Sequence, residues 1–487
     1  MARIDHVVVL MLENRSFDSV LGHLYPGRKD FDGVPRGARN LLVNGTPVRA
    51  WTRRGAGRPG DLHIPTPDPE EDFADMTEQI HGVGKGATGR ADMSGFAANY
   101  LKTGGDPRSV MYGYTPRQLP VISALARSFA VSDRWFASAP TETWPNRFFV
   151  HAGTAGGYVN NLPLHLPYTM ETVFNRLTGA GRTWCIYHHD FPQAATLSRI
   201  WAELPGRLKS FDDDFLKDAR LGHLPNYSFI EPRYFPDRLV GRLPNDQHPP
   251  YGVLRGERLI ARCYDAVRGG AGWERTLLVI VYDEHGGIWD HVPPPRAVSP
   301  DDLHPDGFAF DRYGVRVPAV LISPWIPAGS IVRAPGDGPP FDHTSIIATL
   351  RALFGPFAPL TRRDAQAPDL LPVLSLSEPS NAGPPALSLP MAAASREQLE
   401  AADAIPATRL QQALADAAQR LPSRIAHAVE RVEDFDEHAV ADGESAVEAV
   451  VATTHTAMKR VKAGLDRFLK GNGSTDDDPH GGAGRPD

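Results

Sequence analysis

An α/β fold, with a mainly parallel β-sheet between helix layers and a C-terminal helical appendage, is what this 487-residue sequence predicts. Three observations carry the expectation. From residue 6 to about 370, apolar runs bounded by turn residues alternate with helical patterns. The runs are continuous rather than interleaved with polar residues, as suits strands covered on both faces in a parallel sheet. After residue 373 the composition shifts to a linker-like stretch and then to Ala- and charge-rich helical patterns.

The clearest strands predicted are residues 7–12, 227–230, 276–282 and 317–322. Residues 25–110 are rich in Gly, Pro and charge, so they read as loops and short helices covering an active site at the sheet. The main domain is placed at 1–373, a linker at 374–394 and a helical region at 395–470. Within the last, Val447, Val450, Val451, Met458, Val461, Leu465 and Leu469 recur near helical spacing. Such an amphipathic helix packs on the main domain or on a second subunit in an oligomer, with transient membrane-surface contact as the alternative. Residues 471–487 lack an apolar run and are expected to be disordered. No internal repeat is visible.

Composition narrows the function. Hydrophobic residues make up 41%, charged residues 22%, and the formal charge is −7, which argues against a nucleic-acid partner. Cys185 and Cys263 are far apart, so neither a disulfide framework nor a cysteine metal site is legible. No run approaches the ~18 apolar residues of a membrane span. The opening "HVVVLMLENRSF" invites comparison with an export signal, yet its short apolar run meets Glu13-Asn14-Arg15 without an Ala-x-Ala site. The expected location is therefore cytoplasmic by default, with leaderless secretion as the alternative.

The chemistry gathers at strand ends. One predicted strand finishes on Glu13-Asn14 and another, "TLLVIVYDEHGG", on Asp283-Glu284. Ligands of open α/β sheets bind beyond the carboxyl ends of strands, so the two pairs converge if their strands are neighbours. Three carboxylates in one crevice need a compensating cation. An all-oxygen ligand set favours a hard divalent ion, Mg²⁺ or Ca²⁺, with Zn²⁺ as the alternative. Each pair taken alone also fits helix caps or surface ion pairs.

A second cluster is "PTETWPNRFF", where Thr143 precedes a helical pattern with Pro145 in its first turn. Thr143 fits a plain N-cap, and it equally fits a hydroxyl held where a phosphate binds at a helix N-terminus. Metal coordination would activate it as a nucleophile. Histidines form a third group: His248 with Asp246 in "NDQHPP", His285 and His291 in "DEHGGIWDH", and His343 in "FDHTS". Singly they suit structural roles; together, in loops after strands, they suit acid catalysis or phosphate binding.

These residues carry a family likeness. ENRSFD, PTETWPNRFF, FIEP with NDQHPP, YDEHGGIWDHVPPP, GVRVPAVLISPWI and FDHTS occur in the order found in bacterial and plant non-specific phospholipase C enzymes. From about residue 4 to 360 the chain resembles that phosphoesterase family, which shares its motifs with AcpA-type acid phosphatases. The resemblance implies an alkaline phosphatase-like core and metal-dependent phosphoester hydrolysis. By it, Glu13, Asn14, Asp283 and Glu284 are expected to hold one metal ion, with Thr143 as nucleophile and further metal ligand. Asp246, His248 and His343 fall where the superfamily places second-metal ligands or, in one-metal members, groups that bind phosphate and donate protons. His285 and His291 match an HGG-x-x-DH element and are expected to bind substrate. The chain departs from a D-P-x-H-x-F segment, with Glu71 where that His is expected and His63 or His81 as possible substitutes.

The expected reaction is phospholipase C cleavage of a glycerophospholipid to diacylglycerol and a phosphorylated head group, through a phosphothreonine intermediate. A broad-specificity acid phosphatase acting on small phosphoesters is the alternative, and a non-catalytic metal-binding module the third reading.

Overall fold

Continuous β-branched and aliphatic runs form the centre of the protein, as expected of strands that must be apolar on both sides. The computed structural model describes residues 4–53, 62–87, 90–236, 242–387 and 405–433. Ten strands among them are β1 His6–Leu12, β2 Arg39–Leu41, β3 Pro47–Arg49, β4 Ala130–Ser132, β5 Trp184–His188, β6 Leu208–Ser210, β7 Tyr227–Ile230, β8 Thr276–Tyr282, β9 Ala319–Ile322 and β10 Ser330–Val332.

Eight of these build one sheet in the order β10-β4-β9-β8-β1-β7-β5-β6, and β2 and β3 form a separate hairpin. Strand β9 runs antiparallel to both β8 and β4, and every other pair in the large sheet is parallel. The mixed, mainly parallel sheet is the predicted one; β9 starts two residues later than its apolar run because Val317 and Pro318 lie before the ladder. All of β8, and all of β1 beyond His6, is buried, so both faces are covered there.

The β1–β8 register positions the site. Leu12 pairs with Tyr282, so the residues that follow each strand, Glu13 and Asp283, leave the sheet side by side. The backbone continues the match, with Asp283 N donating to Leu12 O (3.1 Å) and Arg15 N to Glu284 O (3.1 Å).

Residues 25–110 hold more core than their composition suggests. The helices Phe73–His81 and Phe96–Lys102 and the β2–β3 hairpin share a small apolar cluster, including Val48, Ile80, Phe96, Tyr100, Trp289 and Val315. This cluster explains how a segment without long apolar runs is held in place: it contributes single large residues from several short elements.

The described part of the C-terminal region docks on the main body. Leu410, Leu414 and Ala417 of helix Arg409–Arg420, with Ile425 and Val429 of helix Ser423–Glu433, join the principal core. Residues 374–387 run along that body, with Leu376 N donating to Trp325 O (3.0 Å) and Asn381 Nδ2 to Ile326 O (2.7 Å). The rest of the linker, the pattern at 447–469 and the tail at 471–487 lie outside the described residues. No described helix is long and apolar enough to cross a membrane.

Leu414→Ala removes a fully buried side chain from this docked helix and is expected to cost about 2–5 kcal/mol. Urea denaturation checks it; an unchanged midpoint would show that the helix adds no burial to the fold.

Candidate active site

Glu13 and Asn14 turn off the end of β1 under a tight constraint. Asn14 has φ 55°, in the left-handed region that Asn tolerates better than most side chains. Opposite it, a Cβ on Gly286 would lie 2.4 Å from the Asn14 carbonyl oxygen, so only glycine fits. The two strand ends are thereby packed backbone against backbone. Asn14 N donates to Asp283 Oδ1 (3.0 Å), joining positions 269 residues apart.

Thr143 begins the helix Thr143–Ala152. The sequence allowed it to be a cap; the capping position belongs to Glu142, whose Oε2 accepts from Asn161 N (2.7 Å). The Asn161 side chain in turn accepts from Trp144 N (2.7 Å). Asn146 braces the preceding loop by accepting from Ala139 N (3.0 Å) and donating to Thr141 O (2.8 Å). The Thr143 hydroxyl is thus left within reach of Glu13 Oε2 (3.3 Å) and Asn14 Oδ1 (3.4 Å), able to donate to either.

Arg147 completes the centre and was missed from the sequence. It lies one helical turn after Thr143, on the same face. Its buried guanidinium pairs with Glu13, with Glu231 (3.1 Å) and with Asp283 (3.4 Å), and donates to Met11 O (3.2 Å). Glu231, also missed, follows the end of β7 as Glu13 follows β1. It accepts from Tyr234 OH (2.6 Å) and Ala194 N (3.1 Å) as well. The strand-end rule that singled out two polar pairs would have found it.

One guanidinium does not balance the site. Burial pushes the Glu13 carboxyl well above its ordinary range, Arg147 only partly offsetting it and Asp283 and Asp246 adding to it. Glu284 and Asp246 are raised strongly and Asp283 is raised, burial being the first cause each time. Glu284 Oε1 is buried without a hydrogen-bond partner, and Asp283 Oδ2 has only its ion pair with Arg147 (3.4 Å). These under-satisfied carboxylate oxygens, beside Glu13 and the Asn14 amide oxygen, are a donor set that fits a hard divalent cation.

The other sequence-predicted residues divide. Asp246 is bound to the centre through its carbonyl, which accepts from Glu13 N (2.9 Å). His248 Nε2 meets Asn14 Nδ2 (3.0 Å), and Asn14 Nδ2 also donates to Glu71. His343 Nδ1 accepts from Trp135 Nε1 (3.4 Å), which leaves its Nε2–H to donate to Asp283 O (2.6 Å). His285 lies against Glu284 (3.3 Å) and pairs with Gln79 Oε1 (2.8 Å). Burial lowers His248 and His343 to about 4 and His285 to about 3, so these rings are neutral near pH 7.

His291 does not join them. Its Nδ1 is bound to Asp18 (2.7 Å) and its Nε2 to Asp32 (3.1 Å), in a network with Asp290 and Arg316. Both nitrogens being taken up by structural carboxylates, the substrate-binding role expected of it has no free donor to rest on. Glu71 keeps its place beside Asn14. His63 pairs instead with Ser109 (2.8 Å), and His81 accepts from Arg312 (2.8 Å).

A model of the Phosphoesterase family matches residues 4–356. A protein of Arabidopsis thaliana called non-specific phospholipase C3 is 38% identical over 401 residues, 77% of this chain and 74% of that one. Phospholipase C B of Mycobacterium tuberculosis is 30% identical over 445 residues, 80% of each chain. Among solved structures, an alkaline phosphatase superfamily protein of Vibrio parahaemolyticus aligns with a TM-score of 0.31 at 12% identity. That alignment covers 51% of this chain and 64% of the other.

Arg147→Met strands buried carboxylates and is expected to destabilise the protein by about 3–5 kcal/mol, measured by denaturant unfolding; a loss below 1 kcal/mol would contradict the pairing. For His291, burial alone would lower the pKa, but hydrogen bonds to Asp18 and Asp32 reverse this and raise it to about 9. A raised folded pKa stabilises below the unfolded value near 6.5 and loses that contribution as pH rises through about 9. The stability gap between wild type and His291→Gln should therefore shrink from pH 6.5 to 10, read from urea midpoints.

Proposed function

We propose, from the premise that this chain belongs to the Phosphoesterase family, that it is a phosphoric ester hydrolase of the phospholipase C type acting on glycerophospholipids through a metal-dependent phosphothreonine mechanism. The observation that carries the mechanism is the Thr143 hydroxyl, held at a helix start against Glu13 Oε2 (3.3 Å) and Asn14 Oδ1 (3.4 Å). The names of the relatives support the substrate class.

Glu13, Asn14, Asp283 and Glu284, with the Thr143 oxygen, are the residues that would hold the metal. When bound, a divalent ion polarises the phosphoryl group and makes the threonine hydroxyl a better nucleophile. Thr143 Oγ1 attacks phosphorus and its proton passes to the Glu13 carboxylate, the acceptor already in reach. The bond from phosphorus to the diacylglycerol oxygen breaks, and that oxygen takes a proton from water. The hydroxide left from that water then attacks the phosphothreonine, the bond from phosphorus to Thr143 Oγ1 breaks, the phosphorylated head group is released, and Glu13 returns its proton to Thr143 Oγ1. Arg147 holds Glu13 and Asp283 in register throughout.

His343 serves as a positioning residue, because its Nε2–H is committed to the Asp283 carbonyl.

Thr143→Ala is expected to reduce release of phosphocholine from phosphatidylcholine to background while metal content, read by mass spectrometry, is unchanged. Acid-quenched wild type should carry phosphate on the peptide containing Thr143. Full turnover in the variant would sink the nucleophile assignment. Hydrolysis of p-nitrophenyl phosphate without any of phosphatidylcholine would replace the diesterase reading with a phosphatase.

A further inference from the structure

The β2–β3 hairpin of the cover segment presents an outward face that its packing does not explain. Asn40 and Leu42 are turned toward the protein, and Arg39, Leu41 and Val43 toward solvent. Asn40 Nδ2 donates to Met93 O (2.7 Å) and its Oδ1 accepts from Ala97 N (3.1 Å), while Leu42 packs on the apolar cluster around Phe96. The outward residues have no such use. Leu41 is 46% and Val43 82% exposed, where a strand covered on one side ordinarily carries polar residues.

The charge on this face is as unexpected as its apolar content. Arg39 and Arg49 are direct partners in the antiparallel register, so their side chains leave the same face of the hairpin side by side. Like charges placed directly opposite destabilise a strand pair. Both arginines are exposed, and among the described residues neither forms an ion pair with a carboxylate. Between Asp32 and Asp61 the sequence holds six arginines and no acidic residue, in a chain whose formal charge is −7.

The tip is held by a closed turn. Leu42 N donates to Thr46 O (2.9 Å), Gly45 N to Leu42 O (2.8 Å) and Thr46 N to Asn44 Oδ1 (3.0 Å), with Gly45 at φ 82°. Val43 is thus kept in solvent by a defined geometry. The hairpin is also joined to the site. The helix Phe96–Lys102 beneath it sets Phe96 against the ring of His285 (centroids 5.7 Å), and His285 lies 3.3 Å from Glu284.

We propose that this hairpin docks the protein on an anionic phospholipid surface, with Leu41 and Val43 entering the boundary between head groups and acyl chains and Arg39 and Arg49 meeting lipid phosphates. The features that are unfavourable in water become favourable there. Phosphates between the two guanidinium groups remove their repulsion, and the apolar side chains leave water. A basic patch on an acidic protein also orients it, since the membrane attracts this face and repels the acidic remainder. The proposal rests on the lipid-hydrolase reading of the Thr143 site and adds to it the surface by which the enzyme reaches a bilayer.

Full-length protein is sedimented with vesicles of phosphatidylcholine, alone or with a quarter phosphatidylglycerol, and turnover is measured separately on dihexanoyl phosphatidylcholine below its micelle concentration. Binding is expected to the mixed vesicles and is weaker at high salt. The double variant Arg39→Gln/Arg49→Gln and the single variant Val43→Asp should each lower vesicle binding at least tenfold and leave turnover of the monomeric substrate unchanged. Removing the arginine pair relieves repulsion, so the melting temperature of that variant should not fall, which separates lost docking from lost folding. Mixed vesicles bound equally by wild type and both variants, or not bound at all, would overturn the docking surface; continued turnover of the monomeric substrate would leave the Thr143 reading standing. Vesicle binding that depends on these residues, without any turnover, would support the surface and overturn that reading. A change in the mass of the protein in solution on these substitutions, with vesicle binding unaltered, would assign the face to a second copy of the chain instead.

Discussion

Charge balance around Arg147 is the constraint on which the rest of the structure depends. The guanidinium is buried among Glu13, Glu231 and Asp283, residues contributed by the ends of three adjacent strands. Removing carboxylates from water is costly, and the attraction that offsets it requires good geometry. A helix carrying Arg147 must therefore stand over the ends of β7, β1 and β8. The same helix begins with Thr143, one turn earlier, so the element that satisfies the electrostatics also delivers the hydroxyl. Counter-ion and hydroxyl are thus carried by one rigid element, which is how the nucleophile proposed above would be held to within a fraction of an ångström.

The surplus of negative charge is then a feature of the site rather than a defect in packing. Glu284, Asp246 and Glu71 are buried with no full complement of cationic partners, and burial raises each of their pKa values strongly. A chain does not retain such a cluster for stability, since an apolar replacement would cost less. The cover segment adds to the surplus and is itself held from a distance. Arg409 pairs with Glu70 (2.9 Å) and Asp72 (2.6 Å), on either side of Glu71. The helix Arg409–Arg420 thus braces the segment that carries Glu71 from outside the site.

The histidines show how one residue type takes opposite states in one molecule. His248 and His343 are buried against backbone carbonyls and stay neutral, whereas His291, clamped by two carboxylates, keeps its proton to about 9. All three sit in loops, and two of them in motifs of similar look. Their neighbours decide the difference, and most of those neighbours are far away in the chain: Asp18 and Asp32 for His291, and Asn14, with the adjacent Pro249, for His248.

Strands β1, β7 and β8 were legible in the sequence because a buried strand needs a continuous apolar run. The polar residues that end two of them were legible because such a run stops abruptly at the edge of the core. The motif order, from Glu13-Asn14 to His343, sufficed to place the chain within its family. What the sequence left open was everything that depends on pairing across long separations. Arg147 was hidden because an arginine in a helix is ordinarily solvated, and only the meeting of three strand ends makes it a buried counter-ion. Glu71 stood out as a departure from pattern, but its meaning came from Asp68, Asn14 and His248 gathering around it. Apolar periodicity is a local property and can be read along the chain; the balance of buried charge is a property of the assembled volume, and only the tertiary structure decides it.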